Sequence, residues 1–252
     1  MITDPWFYAA AVPAILIAGI SKGGFGGGLV VMSVPLLALH MDPRQAAGIM
    51  LPLLMCMDLI GLGAYRKHWD SDTKRLLKLL LPAAAFGILL GALSFQFLQA
   101  HLVKLLIGLI ACGFSLFFWS GGVRAQRRKP GSVSGSFWSA MAGLTSFVAH
   151  AGGPPLSVYL LPQRLDKTIF VGVTIIFFAV VNYIKVIPYA ILGQLNVGNL
   201  TTSLVLSPLA FFGVWLGVRL HHKLSEKWFY QICYVLLFVT GIKLLYDGFL
   251  GF

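Results

Sequence analysis

Polar residues divide the apolar sequence of this chain into two similar series. Nearly uncharged runs occupy residues 5–20 and 29–39, and the turn Asp42-Pro43-Arg44 ends them. Longer apolar runs follow at 45–65, 76–97 and 102–122. A polar, basic stretch begins at 123, and then the series starts again with runs at 136–149 and 155–162, the polar Arg164-Leu165-Asp166-Lys167, and runs at 168–190, 200–220 and 228–250. Runs of about 20 apolar residues predict membrane-spanning helices. The first two runs of each series are shorter and are parted by an irregular stretch. In the first series this is Gly19-Ile20-Ser21-Lys22-Gly23-Gly24-Phe25-Gly26-Gly27-Gly28. In the second it is Gly143-Leu144-Thr145-Ser146-Phe147-Val148-Ala149-His150-Ala151-Gly152-Gly153-Pro154-Pro155. Glycine weakens a helix, and lipid does not accept irregular backbone unless protein buries it or a wet cavity runs alongside. Each short pair fits a single kinked span, two short helices, or a re-entrant hairpin whose tip reaches the midplane.

The two series align. At an offset of 124, Gly19 meets Gly143, Ser21 meets Thr145, Asp42 meets Asp166, Gly48 meets Gly172 and Asp58 meets Asn182. At an offset of 126, Pro82 meets Pro208, Gly87 meets Gly213, Gly91 meets Gly217 and Gly122 meets Gly248. A nearly constant register over a whole half predicts an internal duplication. The halves are residues 1–122 and 136–252, joined by the basic linker 123–135. Gly87/Gly91 and Gly213/Gly217 are small-xxx-small pairs suited to close helix approach.

Composition turns these runs into membrane spans. The chain has 252 residues, 58% hydrophobic and 11% charged, with mean hydropathy +0.85. A soluble domain carries about 25% charged residues, so too little polar surface remains here to cover a globule. The net charge of +11 gathers between the apolar runs. There it sets topology, and no nucleic-acid-binding signature accompanies it. The cysteines, Cys56, Cys112 and Cys233, stand apart within apolar runs and suggest neither disulfides nor a zinc site. The N-terminus lacks a basic region ahead of a cleavage site, so residues 5 onward are expected to be a mature membrane segment. Most Phe and Trp residues are expected at lipid or at its interface, and no cofactor is implied.

Loop charges choose among the three forms of the broken segments. If each returns to its starting side, segments 66–78, 123–135, 164–167 and 219–227 share one face and collect 14 of the 19 basic residues. If each crosses, five of those residues move to the outer face. The positive-inside rule favours the returning form. Each half then makes three full crossings plus a hairpin. Three is odd, so the halves are inserted with opposite polarity. The fold class expected is therefore an all-α polytopic membrane protein of two inverted repeats. Its termini lie outside, its basic linker lies in the cytoplasm, and the two hairpin tips face each other near the midplane.

Lys22 is the most informative residue: it lies deep in an apolar segment beside a glycine tract and has no acidic neighbour in sequence. A cation there, with backbone N–H groups freed by the break, suits a small anion. Candidate substrate contacts are Ser21, Lys22, Gly23, Gly24, Gly26 and Gly27 in the first break, and Thr145, Ser146, His150, Gly152 and Gly153 in the second. The Ser and Thr hydroxyls equally well bond back to their own helix carbonyls. Asp58 and Asn182 hold matched positions, and Lys185 stands one turn beyond Asn182. Asp58 pairs with Lys22 or Lys185, or carries a coupling proton. No cation matches Lys22 in the second half, where Ser146 aligns, so the site is expected to be asymmetric. Enzyme signatures are missing: Ser-Lys-Gly-Gly is not a phosphate-binding loop, and neither a GxSxG elbow nor an HExxH helix occurs.

The motif Gly19 to Leu29, the later Gly152-Gly153-Pro154-Pro155, and the two-half layout resemble the TauE/SafE sulfite exporter family over essentially the whole chain. The resemblance implies a secondary transporter of the bacterial inner membrane that exports sulfite or a short organosulfonate. The residues alone equally fit a passive anion channel, or a carrier of another small anion such as thiosulfate or a carboxylate. They set no oligomeric state. Besides the anion and membrane lipids, the partner considered is a coupling proton.

Overall fold

The computed structural model describes residues 2, 4–24, 26–65, 71–95, 97–121, 131–220 and 226–251. Among them there are ten α-helices and no strand: α1 Pro5–Gly24, α2 Ser33–Ala38, α3 Pro43–Tyr65, α4 Ser71–Phe95, α5 Ala100–Trp119, α6 Ser132–Ala149, α7 Gly153–Leu160, α8 Lys167–Ile191, α9 Val197–Leu220 and α10 Glu226–Phe249. Short 3-10 turns at Gly28–Met32 and Leu161–Gln163 flank the small helices. Seven helices, α1, α3, α4, α5, α8, α9 and α10, are long and apolar enough to cross a membrane. Most of the basic linker and the loop 66–70 lie outside the described residues.

The helix starts have local causes. Asp4 Oδ1 accepts the Trp6 N–H at 3.0 Å, and Asp42 Oδ1 accepts the Arg44 N–H at 2.7 Å, each with proline as the first helical residue. Asn196 Oδ1 accepts the Asn199 N–H at 3.0 Å and opens α9. Prolines 154 and 155 occupy the first turn of α7.

Packing exchanges the halves. The first helix of each half lies against the penultimate helix of the other: α1 on α9, and α6 on α4. The last helices, α5 and α10, pack together, as do α3 and α8. Among the aligned glycines, Gly19, Gly213 and Gly217 sit at the α1–α9 crossing, and Gly87, Gly91 and Gly143 at the α4–α6 crossing. A Cβ on Gly19 would stand 2.8 Å from Gly213 Cα, and one on Gly87 would overlap the Ala140 carbonyl. Backbone touches backbone there, the usual means of helix association in lipid, where apolar burial contributes little.

Two expectations need correction. The first arm does not stop near residue 20: α1 stays helical through Ser21, Lys22, Gly23 and Gly24 and reaches span length. Gly23 lies so close to the Val214 carbonyl that a side chain would overlap it, so packing on α9 holds a turn that glycine propensity disfavours. In the second half α6 begins at Ser132, four residues before the expected start. The aromatics also divide: Trp6 and Phe97 are exposed, but Phe7, Phe147 and Phe177 are fully buried.

Candidate functional site: a buried positive centre between two helix breaks

Both broken segments do break, and the breaks meet. After α1, Gly26 and Gly27 take left-handed φ values of 71° and 76°, a region open to glycine without strain. The Gly27 N–H returns to the Ser21 carbonyl at 2.9 Å, and the Leu29 N–H bonds Ser21 Oγ at 3.0 Å, so the orphan groups of the helix end are used locally. After α6, His150 takes φ 52°, uncommon for a residue with a side chain. Its N–H bonds the Ser146 carbonyl at 3.0 Å, and the Ala151 N–H bonds the Thr145 carbonyl at 3.1 Å, a left-handed helix terminus. A Cβ on Gly153 would stand 3.2 Å from Gly28 Cα. The two interruptions are therefore in backbone contact.

The polar side chains collect where α3 and α8 run past these breaks. The Lys22 ammonium pairs with Asp58 Oδ1, and Asn182 Nδ2 donates to Asp58 Oδ2 at 2.6 Å. Lys185 Nζ donates to the Ser146 carbonyl at 3.1 Å, to Ser146 Oγ at 3.0 Å and to His150 Nδ1 at 2.7 Å. Three acceptors match the three donors of an ammonium. His150 Nε2 lies 3.0 Å from the Ala47 carbonyl, which only accepts. The proton therefore sits on Nε2, and Nδ1 is free to accept from Lys185. Asp58 is 3% exposed and Lys185 0%. With both lysines protonated, two ammoniums face one carboxylate, a formal charge of +1 in a buried centre. The C-terminal carbonyl of α6 offsets part of the charge on Lys185.

Two adjoining hollows open beside Lys22. One is lined by Lys22, Gly27, Ser146, His150, Gly153 and Asn182, with Val30, Leu54 and Phe178. The other is lined by Lys22, Gly26, Gly27 and Asp58, with Met57, Gly61, Thr174, Ile175 and Phe178. Lys22, Gly27 and Phe178 belong to both. The remaining expected residues stand behind these walls. The Thr145 hydroxyl is 2.8 Å from the Met141 carbonyl and 3.0 Å from that of Ala151, and Ser21 Oγ takes the Leu29 N–H. Gly23 and Gly152 are packing positions, the latter with a would-be Cβ 2.7 Å from the Ala142 carbonyl. Gly24 ends α1.

Sequence reasoning missed the apolar walls. Phe178 precedes Asn182 by four residues and Lys185 by seven, and Leu54 and Gly61 flank Asp58 by four and three. That spacing puts each on the polar face of its helix. It was the available signal. Tyr189 was also missed: its hydroxyl donates to the Phe147 carbonyl at 2.7 Å, and its ring stacks on His150 with centroids 6.2 Å apart. Among the described residues no cluster of three or more His, Cys, Asp or Glu is placed to hold a metal ion.

No curated relative and no solved structure matches the chain. The family model described as sulfite exporter TauE/SafE matches residues 11–244, through both halves, both breaks and every residue of the positive centre. A match over that much of the sequence settles the kinship: this multi-pass membrane protein belongs to the sulfite exporter TauE/SafE family of transporters.

Proposed function

We propose that the protein is a secondary transporter that exports a small sulfur oxyanion, sulfite or a short organosulfonate, across a bacterial inner membrane. One observation carries this reading: the Lys22 ammonium stands on the shared wall of two hollows where the helix breaks meet, and Lys185, when protonated, brings the centre to a formal charge of +1. A buried net cation is costly unless an anion visits it. Lys22 and the backbone of Gly26 and Gly27 are the primary contacts, with Ser146 and His150 on the far wall and Lys185 behind them.

Exchange of packing partners between the halves supports two inverted repeats that rock against each other to alternate access. The hollow at Gly61 lies between the C-terminal half of α3 and the N-terminal half of α8. Those ends border the basic segments 66–78 and 164–167, the cytoplasmic side in the orientation proposed, with both termini outside. On the opposite side we assign the gate to the Tyr189–Phe147 hydrogen bond and the Phe95–Phe147 edge contact, with ring centroids 5.6 Å apart. The arrangement suits a carrier waiting for internal anion. Expelling an anion from a cell negative inside is favoured by ~2.3 kcal/mol per charge per 100 mV. In this reading Asp58 carries the coupling proton or serves as the structural partner of Lys22.

The test is flux in proteoliposomes with sulfite, sulfoacetate, sulfate and thiosulfate, comparing the native protein with Lys22→Ala and with Lys22→Ala/Asp58→Asn. The double variant removes both members of the ion pair, so neither is left buried without its partner. Saturable countertransport that both variants abolish is expected. High, unsaturated conductance would make the protein a channel, and normal flux in the double variant would end the role of Lys22.

A further inference from the structure

We propose that Lys185 and Tyr189 form a clasp that holds the end of α6 on α8 in the empty carrier, and that the transported anion opens it by taking the Lys185 ammonium. The inference rests on the anion-transport reading above and adds to it how the anion drives the change of state.

Two side chains one turn apart on α8 supply four hydrogen bonds to the end of α6. Lys185 gives three, to the Ser146 carbonyl at 3.1 Å, Ser146 Oγ at 3.0 Å and His150 Nδ1 at 2.7 Å. The Tyr189 hydroxyl gives the fourth, to the Phe147 carbonyl at 2.7 Å. Elsewhere α6 lies along α4 and barely touches α8. Polar bonds, not apolar packing, therefore hold this contact, and a competing acceptor can break it.

The hollow between Lys22 and Ser146 shows why it must break. In this conformation it holds about one water molecule, too little for a sulfur oxyanion. A wall has to move when the anion arrives. The Lys22 wall belongs to α1, whose Gly19 and Gly23 lie against the backbone of α9. The facing wall is Ser146 and His150, which the clasp holds. Lys185 stands behind them, fully buried and paired with no carboxylate among the described residues. An anion between the breaks gives that ammonium a counter-ion, and a charged oxygen is a stronger acceptor than a carbonyl or a hydroxyl. Exchanging the α6 partners of Lys185 for the anion leaves the Tyr189 bond as the last hold on Phe147, whose ring packs on Phe95 in the outer gate. The empty carrier stays clasped and faces inward; the loaded one is released to face outward.

The experiment has two arms. In the first, half-saturation of sulfite flux is measured at each face, in right-side-out and inside-out membrane vesicles. Tyr189→Phe removes one bond of the clasp. It should lower the external half-saturation relative to the internal one by about tenfold, the effect of a buried carbonyl left without its donor. A hydrogen bond that serves only stability would lower the melting temperature and leave that ratio alone. The second arm follows amide hydrogen exchange of residues 145–151 in the purified protein. Sulfite should speed exchange there in the native protein. In Lys185→Met the segment should exchange fast before sulfite is added and change little afterwards. An unchanged half-saturation ratio in a folded Tyr189→Phe protein overturns the proposal. So does exchange at 145–151 of the native protein that sulfite slows or leaves unchanged, a result that needs no variant. If flux is saturable and depends on Lys22 while either of these results is found, only the clasp is lost. If the native protein moves no sulfur oxyanion, the transport reading falls and the clasp with it.

Discussion

Asp58→Asn separates the two roles open to the buried carboxylate. In the native structure Asp58 occupies Lys22, the cation that the transported anion needs. Removing the carboxylate charge has opposite effects on the empty and the loaded carrier. In the empty protein Lys22 loses its counter-ion. Breaking one member of a buried pair costs about 3–5 kcal/mol. Lys22 borders two hollows and its side chain is 9% exposed, so water relieves part of the loss and the lower end, about 3 kcal/mol, applies. Asn182, which now donates to Asp58 at 2.6 Å, turns its amide to offer oxygen to the new amide and keeps that bond. For a chain of this size the loss is a fall in melting temperature of roughly 9 °C. In the loaded protein the competitor is gone. A carboxylate about 4 Å from a bound anion repels it by about 4 kcal/mol at an effective dielectric of 20. Halving that for water in the hollow leaves about 2 kcal/mol, about thirtyfold in Kd. The variant should therefore melt lower than the native protein without anion and bind sulfite more tightly. Anion at about 100 times Kd should restore about 2.7 kcal/mol of the lost stability. Tryptophan-monitored unfolding of purified protein against a sulfite series measures both quantities. A variant that is as stable as the native protein and binds sulfite more weakly would refute the competition: Asp58 would then belong to the binding surface.

Other substitutions test the second cation and the crossings. Lys185→Met removes an ammonium that has no carboxylate partner, and the methionine fills nearly the same volume. Its melting temperature should stay within about 4 °C of native, since exchanging a buried charge for an apolar group is often neutral, whereas sulfite binding should fall by at least about tenfold. Unfolding of this variant would show that Lys185 serves chiefly to cap α6. Gly87→Ala drives a methyl into the Ala140 carbonyl at the α4–α6 crossing and should cost about 3 kcal/mol. Gly213→Ala at the matching α1–α9 crossing, where the nearest atom is Gly19 Cα at 3.2 Å, should cost well under half of that. Detergent unfolding of the pair checks the contrast, and equal losses would contradict the crossing geometry.

What the sequence reveals, and what it conceals, follows from the range of the interactions. Spans are legible because each must supply its own backbone hydrogen bonds across about 20 apolar residues, whatever its neighbours do. The breaks are legible because Gly26, Gly27 and Gly152-Gly153-Pro154 interrupt that rule locally. Alignment of the halves placed Asp58 opposite Asn182, and the two side chains do touch. The continuation of α1 through Lys22 is not legible: its cause is the fit of Gly19 and Gly23 against α9, nearly 200 residues away. The partners of Lys185, Ser146 and His150, lie 39 and 35 positions back across a helix break, a separation that carries no periodicity. Phe178 and Gly61 are hidden for another reason. Hydropathy gives an apolar residue the same value in lipid and in a binding slot, and only the packing of α3 on α8 tells them apart.

The proposed duplication accounts for the inequality of the site. In the proposed duplication, the local axis relating the halves passes between Asp58 and its counterpart Asn182, which are in direct contact. Residues that meet their own counterparts cannot both keep the same charge. Two carboxylates at that separation would have to share a proton. Two amides would bond each other but leave Lys22 without a counter-ion. One acid and one amide meet both needs. The same reasoning applies one shell out. A lysine in place of Ser146 would bring a cation equivalent to Lys22 into the same pair of hollows, where it would repel Lys22 across the centre. The chain carries its second ammonium on α8 instead, at Lys185, where the Ser146 carbonyl at the end of α6 accepts it. The unequal charges of the two breaks thus follow from one electrostatic constraint at the contact between Asp58 and Asn182.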